Sequence, residues 1–450
     1  MIKNRQYAVR VISLGCPKNL VDTEVMCGAM ALDGFLMTND ERDADITLIN
    51  TCSFINAARK ESEGEIKEAL KWKRKRRGRR VVVSGCLPQR DLPKARRKFP
   101  QVDLFLGLDE EPEIARKLNA LLHHQKPDQV RDQYGAPQYV YNDETPRMML
   151  TAPHSTYVKI AEGCDHTCTY CAIPKIRGRQ RSRPMESIIN ECRNLLSQGV
   201  RELNIVAQDS TRYGTDRDDG ANICDLLKEI DNLDGDFWVR ILYAYPRTFP
   251  RELIPQIAAS RHVLPYLDMP LQHISQKMLK TMGRIMPQEN TKALMWQLRE
   301  GIPNMAIRTT FIVGFPGETE EDFQELYDFV RDFKFDRMGV FCYSPEEGTP
   351  AMNLKADLVP TQIAEERRDA LMQLQQEISL HANEAMIGKI IPVIVEGQSA
   401  PGQWIGRSIK DAPDIDNLVH FTGPDDCYDR GWVDVTVTGA DPYDLFGNAE

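Results

Sequence analysis

Nine short apolar runs separated by helical patterns constrain this chain more than any other feature. The first three are Ala8–Leu14, Ile46–Asn50 and Arg80–Ser84, with helical stretches at Asn19–Leu32 and Ser53–Lys75 between them. Strand–helix–strand order predicts a parallel sheet with right-handed crossovers. Six more runs follow: Thr156–Ala161, Glu202–Gln208, Trp238–Tyr243, Val263–Met269, Ala306–Val313 and Met338–Tyr343. Helical patterns such as Met185–Ser197 and Glu320–Phe333 separate them, and a long one spans Ile363–Ile387. Six βα repeats predict a partial parallel barrel, smaller than the eight-fold one.

After about Gly388 the period changes. Ile390–Glu396, Gln403–Ile409, Asn417–Phe421 and Trp432–Thr438 are short strand candidates split by Gly, Pro and Asp, which predicts a small all-β barrel. A length of 450 residues suits about three domains. The fold class expected is therefore α/β, with an N-terminal parallel α/β domain at 1–122, a (β/α)6 barrel at 151–382 and a β-barrel at 383–450. Residues 123–150, polar and rich in Pro, Gln and Asp, read as a linker.

The net charge of −9 argues against a general polyanion binder. Its distribution is uneven. Glu384 to Glu450 holds 12 acidic and 4 basic residues, a balance of −8, and the first 383 residues carry −1. No apolar stretch reaches the 18 or so residues of a membrane span, and the N-terminus lacks a signal-peptide core. These features predict a cytoplasmic protein without a membrane partner. Thiols stay reduced there, so the 11 cysteines read as ligands or catalytic groups before disulfides.

Six of those cysteines form two sets. Cys164, Cys168 and Cys171 have Cys-x3-Cys-x2-Cys spacing directly after a strand candidate. Structural zinc wants four protein ligands, whereas three thiolates hold three irons of a four-iron cluster and leave the fourth open to a substrate. The second set is scattered: VISLGC ends at Cys16, LINTC at Cys52 and VVVSGC at Cys86, each at the carboxyl end of a strand candidate. Carboxyl ends of neighbouring parallel strands converge on one crevice, which predicts a second cluster site, with three separate buried cysteines as the alternative. Gly15 and Gly85 would let the backbone turn beside it. Cys27, Cys192, Cys224, Cys342 and Cys427 share no pattern and are expected to be packing or surface residues.

The Cys164–Cys171 loop resembles the signature of the radical S-adenosylmethionine enzymes. Together with the N-terminal three-cysteine domain and the small C-terminal barrel, which resembles the TRAM domain, the chain is similar to the methylthiotransferases. The resemblance implies two [4Fe-4S] clusters and S-adenosyl-L-methionine. It also implies a 5′-deoxyadenosyl radical that acts on an unactivated C–H bond, and an electron donor such as a flavodoxin or ferredoxin. The family modifies either a transfer-RNA adenosine or the β-carbon of an aspartate in protein twelve of the small ribosomal subunit. Ser13–Asp22 (SLGCPKNLVD) and Pro270–Ser275 (PLQHIS) resemble the protein-modifying branch. The acidic tail adds a physical argument, since it complements a basic ribosomal protein. The transfer-RNA reaction is the alternative, and a non-catalytic iron–sulfur RNA-binding protein is the alternative from another class.

The resemblance names further residues for S-adenosylmethionine. Tyr170 lies toward the adenine, Gln208 and Asp209 follow a strand toward the methionine amino group, and Gly314 and Pro316 belong to a turn that approaches adenosine. Each has a structural counterpart in packing or capping; Thr319, for instance, reads as a helix cap. No catalytic side chain is assigned. The arginines of Arg177–Pro184 suit either substrate contacts or salt bridges. His273 reads first as a buried, hydrogen-bonded histidine and second as a substrate contact. The basic run Lys71–Arg80 reads first as a solvated helix end, with contact to ribosomal RNA as its alternative.

Overall fold

A computed structural model describes residues 6–123 and 134–449. The first sheet has five parallel strands in the order β2-β1-β3-β4-β5: β1 (Ala8–Ser13), β2 (Leu36–Met37), β3 (Ile46–Thr51), β4 (Arg80–Gly85) and β5 (Leu104–Phe105). β3 is buried along its whole length, as a continuous apolar strand covered on both faces should be. Helices α1 (Pro17–Leu32), α2 (Asn56–Arg74), α3 (Cys86–Arg90), α4 (Leu92–Lys98) and α5 (Ile114–Leu122) cover it. α2 and α4 bury Ile66, Ala69, Trp72, Leu92 and Ala95 in one cluster, while Met26 and Met30 of α1 pack with Leu118 of α5 in another.

The second sheet has six parallel strands: β6 (Ser155–Lys159), β9 (Glu202–Val206), β10 (Trp238–Ile241), β11 (Val263–Asp268), β12 (Ala306–Val313) and β13 (Arg337–Cys342). Their spatial order is β13-β12-β11-β10-β9-β6. A two-stranded ladder of β7 (Ala161–Glu162) and β8 (Arg181–Ser182) brackets the Cys164–Cys171 loop. The connecting helices are α6 (Ile173–Arg177), α7 (Met185–Ser197), α8 (Ile223–Asp231), α9 (Leu253–Ala259), α10 (Gln276–Thr281), α11 (Gln288–Gly301), α12 (Glu320–Phe333) and α13 (Thr361–Glu384). α12 starts at the Thr319 cap, which pairs with Asp322 in a capping box.

Alternation along these strands separates two faces. Leu203, Ile205, Val239 and Ile241 face outward and pack with the helices in the largest core. Val206, Leu242, Leu264, Tyr266 and Ala306 face inward. The inward cluster also contains Val21 and Val25 of α1 and Ala412 from the C-terminal unit. The lumen is thus filled by side chains from all three parts of the chain.

The C-terminal unit is a closed five-stranded barrel of β14 (Ile390–Ala400), β15 (Gln403–Ser408), β16 (Val419–Thr422), β17 (Trp432–Ala440) and β18 (Leu445–Ala449), with a short helix α14 (Cys427–Arg430). Its β15–β16 loop enters the amino-terminal end of the central barrel. Arg407 pairs with Glu202 (2.6 Å), Asp411 with Arg337 (2.5 Å), and Asp416 with Arg308 (3.2 Å) and the Tyr266 hydroxyl (2.6 Å). Trp432 stacks on Trp238 at 5.6 Å. Asp411, Asp414 and Asp416 therefore have partners in the central barrel, and Glu396 and Asp444 have partners within the small barrel.

Residues 124–133 of the expected linker lie outside the described residues. The remainder is closely held. Arg147 bridges Glu24 of α1 (2.6 Å) and Glu191 of α7 (2.7 Å), and the Tyr141 hydroxyl donates to Glu191. Among the described residues no helix is long and apolar enough to cross a membrane.

Candidate active site

Cys16, Cys52 and Cys86 directly follow or nearly follow the carboxyl ends of β1, β3 and β4, which are neighbours in the sheet. Cys16 is the N-cap residue of α1 and Cys86 is the first residue of α3, so both lie at helix amino termini. Gly15 and Gly85 adopt φ of +93° and +89°. A Cβ on Gly15 would lie 2.6 Å from the Cys52 Cβ, so a side chain there would push the strand ends apart. The Ser62 hydroxyl holds the Cys52 backbone from both sides, accepting from its amide at 3.1 Å and donating to its carbonyl at 2.8 Å.

Cys164, Cys168 and Cys171 lie on the loop after β7, half-buried. The loop is anchored by backbone bonds from Cys164 to Gly178 O (3.0 Å) and from Thr169 to Met282 O (2.9 Å). A Cβ on Gly163 would lie 2.0 Å from Arg179 O, and that residue has φ of +81°. Burial pushes the Cys171 thiol up to about 12 and the Cys164 thiol up to about 11. Burial also pushes Cys86 up to about 12 and raises Cys52. Bound metal reverses that balance, since a coordinating thiol is deprotonated outright. Among the described residues no three His, Cys, Asp or Glu side chains close on a single metal ion. A one-ion site draws its donors to about 2.3 Å from one point, whereas a four-iron cluster spreads three thiolates over three irons. The donor chemistry of both sets fits such clusters.

The two sets meet. Cys86 shares a buried cluster with Ala172, the residue after Cys171, and Ile176 of α6. Between the sets lies a layer of buried charge from α1, β6 and α6. Asp22 and Glu162 both pair with Lys159 and with Arg177. Lys18 sits 3.2 Å above the Tyr243 ring and donates to Ala207 O at 3.4 Å; burial lowers its pKa. Tyr243 and Gln272, at the carboxyl ends of adjacent strands, adopt φ of +63° and +71°. Such backbone is strained for residues with side chains and concentrates at functional sites.

The residues expected around S-adenosylmethionine surround the same mouth. Tyr170 packs edge-on against Phe315 at 6.4 Å, beside the Gly314–Pro316 turn, and its hydroxyl accepts from Arg284 at 3.2 Å. Gln208 donates to Glu162 at 2.5 Å, and its buried Oε1 has no protein partner. Asp209 is more committed. Its carboxylate receives Thr211 N (3.0 Å), the Thr248 hydroxyl (2.9 Å) and the Thr211 hydroxyl (2.5 Å), and lies 2.6 Å from His166 Nε2 in the cysteine loop. Gly314 has φ of +73°, and its missing side chain leaves room for the Ala364 Cβ, 2.4 Å away from where a Cβ would stand. Helix packing, not adenosine alone, demands that glycine. Pro316 is buried next to Phe315.

His273 is fully buried. Its Nδ1 accepts from the Ile274 and Ser275 amides, and its Nε2 meets Glu318 at 3.1 Å. Of the Arg177–Pro184 segment, Arg177 and Arg183 form buried salt bridges. In the basic run, Lys71, Lys73, Arg76, Arg79 and Arg80 have intramolecular partners, and Arg74, Lys75 and Arg77 project exposed. Cys27, Cys192 and Cys427 are buried core residues, and Cys224 and Cys342 are half-buried. Sequence reading missed Lys18, Tyr243 and Arg284. Only Lys18, adjacent to a cysteine motif, carried any local signal.

Family models match in three places: "Uncharacterized protein family UPF0004" over residues 8–107, the radical SAM superfamily over 158–330 and the TRAM domain over 387–449. The chain is 43% identical to the ribosomal protein uS12 methylthiotransferase RimO of Heliobacterium modesticaldum, across 98% of this chain and 95% of that protein. It is equally identical to the enzyme of the same name from Geobacter sulfurreducens, across 99% of each. The chain belongs to the ribosomal protein uS12 methylthiotransferase family. Among solved structures, the radical S-adenosylmethionine methyltransferase TsrM from Kitasatospora setae is similar in fold. It has a TM-score of 0.56 and 15% identity, over 83% of this chain and 89% of that one. The three matches fall on the five-stranded sheet, most of the six-stranded sheet and the closed barrel.

Proposed function

We propose that this member of the family transfers a methylthio group to the β-carbon of an aspartate in ribosomal protein uS12. The observation that supports this reading is the buried cluster of Cys86 with Ala172 and Ile176, which sets the end of an N-terminal strand against the helix that follows the barrel cysteine loop. Sulfur insertion needs one site that holds sulfur and one that activates carbon, close together. The cofactors are S-adenosyl-L-methionine and two [4Fe-4S] clusters, held by Cys164, Cys168 and Cys171 and by Cys16, Cys52 and Cys86. Cys164, Cys168 and Cys171 would hold the cluster that serves S-adenosylmethionine, which would supply the radical chemistry for removing hydrogen from carbon.

This chain's side chains orient and shield that chemistry. The unpartnered Gln208 Oε1 accepts from the methionine amino group, a bond that would satisfy an otherwise costly buried acceptor. Asp209 acts through His166 to hold the cysteine loop. Tyr170, Phe315 and Pro316 form an apolar wall for the adenosine, and Arg284 holds the Tyr170 hydroxyl. Lys18 of α1 is buried against Ala207 O and the Tyr243 ring, beside Gln208 and Asp209.

The division into 1–122, 123–150, 151–382 and 383–450 follows this assignment of tasks. A small ribosomal-subunit protein as substrate supports a cytoplasmic location. A reduced flavodoxin or ferredoxin would supply the electron. The exposed Arg74, Lys75 and Arg77 support a contact with ribosomal RNA phosphates beside the substrate, as does the family of the C-terminal barrel. Mass spectrometry of uS12 and of transfer-RNA nucleosides, from cells with and without the gene, tests the substrate. A methylthio increment on uS12 is expected. An increment confined to nucleosides overturns the reading.

A further inference from the structure

Arg177 is 1% exposed and ends α6, the helix that follows the Cys164–Cys171 loop. Its guanidinium nevertheless serves the other cysteine set. One nitrogen, Nη1, pairs with Asp22 Oδ2 and Glu162 Oε2, each at 2.9 Å. The other, Nη2, donates to Asn19 Oδ1 at 3.1 Å and to Cys86 Sγ at 3.6 Å. Two carboxylates thus orient the group so that its free edge points at a thiol. In the barrel set, Cys171 Sγ receives the Ile173 backbone amide at 3.4 Å, and the buried Arg284 guanidinium acts on Cys168 and Cys171 through its charge. Hydrogen bonds and charge at the sulfurs are among the levers that set the reduction potential of an iron–sulfur cluster. A charge-assisted bond is roughly twice as strong as a neutral one, and it stabilises the more negative, reduced state.

We propose that Arg177 is a positioning residue that raises the reduction potential of the Cys16–Cys52–Cys86 cluster through Cys86, although it belongs to the barrel that carries the other cluster. The inference rests on the assignment of those three cysteines as cluster ligands. The barrel loop and the N-terminal cluster are then electrostatically linked, so displacement of α6 changes the redox poise of a site on another domain.

The test uses the full chain, reconstituted anaerobically, in a Cys164→Ala/Cys168→Ala/Cys171→Ala background that retains only the N-terminal set. Arg177→Lys keeps a positive charge beside Asp22 and Glu162 but loses the fork that reaches Cys86. An EPR-monitored redox titration should show the cluster about tenfold harder to reduce, a shift of about 59 mV for one electron. In a Cys16→Ala/Cys52→Ala/Cys86→Ala background the same substitution should leave the barrel cluster unmoved. Equal potentials with and without Arg177→Lys, at equal iron content, overturn the inference. A parent chain that binds no iron overturns the ligand assignment and the inference with it. Should Arg177→Lys fail to fold, the unsubstituted N-terminal-only chain is labelled with ¹⁵N-arginine. Pulsed EPR should detect ¹⁵N coupling to the reduced cluster, and its absence refutes the contact.

Discussion

Glu202, at the start of a central barrel strand, holds Arg407 of the C-terminal barrel at 2.6 Å, and neither side chain reaches solvent. Arg240 shares the same carboxylate at 3.0 Å, and Ser155 donates to it at 2.6 Å. Removing this anion leaves Arg240 with backbone carbonyls alone and Arg407 with only the partly exposed Glu396 as counter-ion. Glu202→Ala should cost about 3–5 kcal/mol, the range for breaking a buried pair. Chemical denaturation with tryptophan fluorescence reads it directly, because Trp238 and Trp432 stack at this junction. A loss below about 1 kcal/mol would show that solvent enters the junction freely.

The same residue gives the protein an acid limb. Burial alone would raise the Glu202 pKa, but Arg407 and Arg240 outweigh it and hold the carboxyl at about 2, against 4.5 ordinarily. A depressed acid stabilises the folded state fully above its unfolded pKa. That contribution fades as pH falls from about 4.5 toward 2, and it amounts to about 3 kcal/mol. Denaturation midpoints measured from pH 6 to pH 3 should fall more steeply in the parent than in Glu202→Gln. Parallel slopes would remove Glu202 as the source.

Gly314 is predicted to tolerate no side chain. Gly314→Ala meets both a φ of +73° and the Ala364 Cβ at 2.4 Å, and should destabilise by about 1–3 kcal/mol. Gly314→Ala with Ala364→Gly removes the clash and leaves the backbone strain, so thermal unfolding should recover only in part. Full recovery would mean that the left-handed backbone costs nothing there.

Gln208 and Asp209 are adjacent and should nevertheless behave differently. Gln208→Leu is expected to weaken S-adenosylmethionine binding by about tenfold, the effect of one lost charge-assisted bond, with iron content unchanged. Asp209→Ala releases His166 and both threonine hydroxyls, so the barrel set should lose iron and binding together. Calorimetry with iron analysis separates the two. Normal iron in Asp209→Ala would assign Asp209 to the ligand itself.

Much of this arrangement was legible from local pattern. The barrel strands were visible because parallel strands with covered faces are apolar and β-branched, as in Glu202–Val206 (ELNIV), which is buried along its whole length. Cys16, Cys52 and Cys86 could be grouped because each ends such a run. β18 (Leu445–Ala449) was not visible, since LFGNA has neither alternation nor β-branched residues. Arg177 and Arg407 carried no local sign of their partners, which lie 91 and 205 residues away. Asp411, Asp414 and Asp416 read as surface acid because a carboxylate's counter-ion is a tertiary fact. In the fold these side chains find arginine or tyrosine partners at the central barrel.

The β15–β16 loop works as a cork. With it withdrawn, Arg240, Arg308 and Arg337 would face an open lumen without the backbone carbonyls and carboxylates of residues 408–416. The third unit is therefore no detachable bead on a string. A chain cut before residue 388 would keep every cysteine of both sets and still lose the floor on which the catalytic barrel stands. A graft that exchanges the small barrel for another must carry this loop with it.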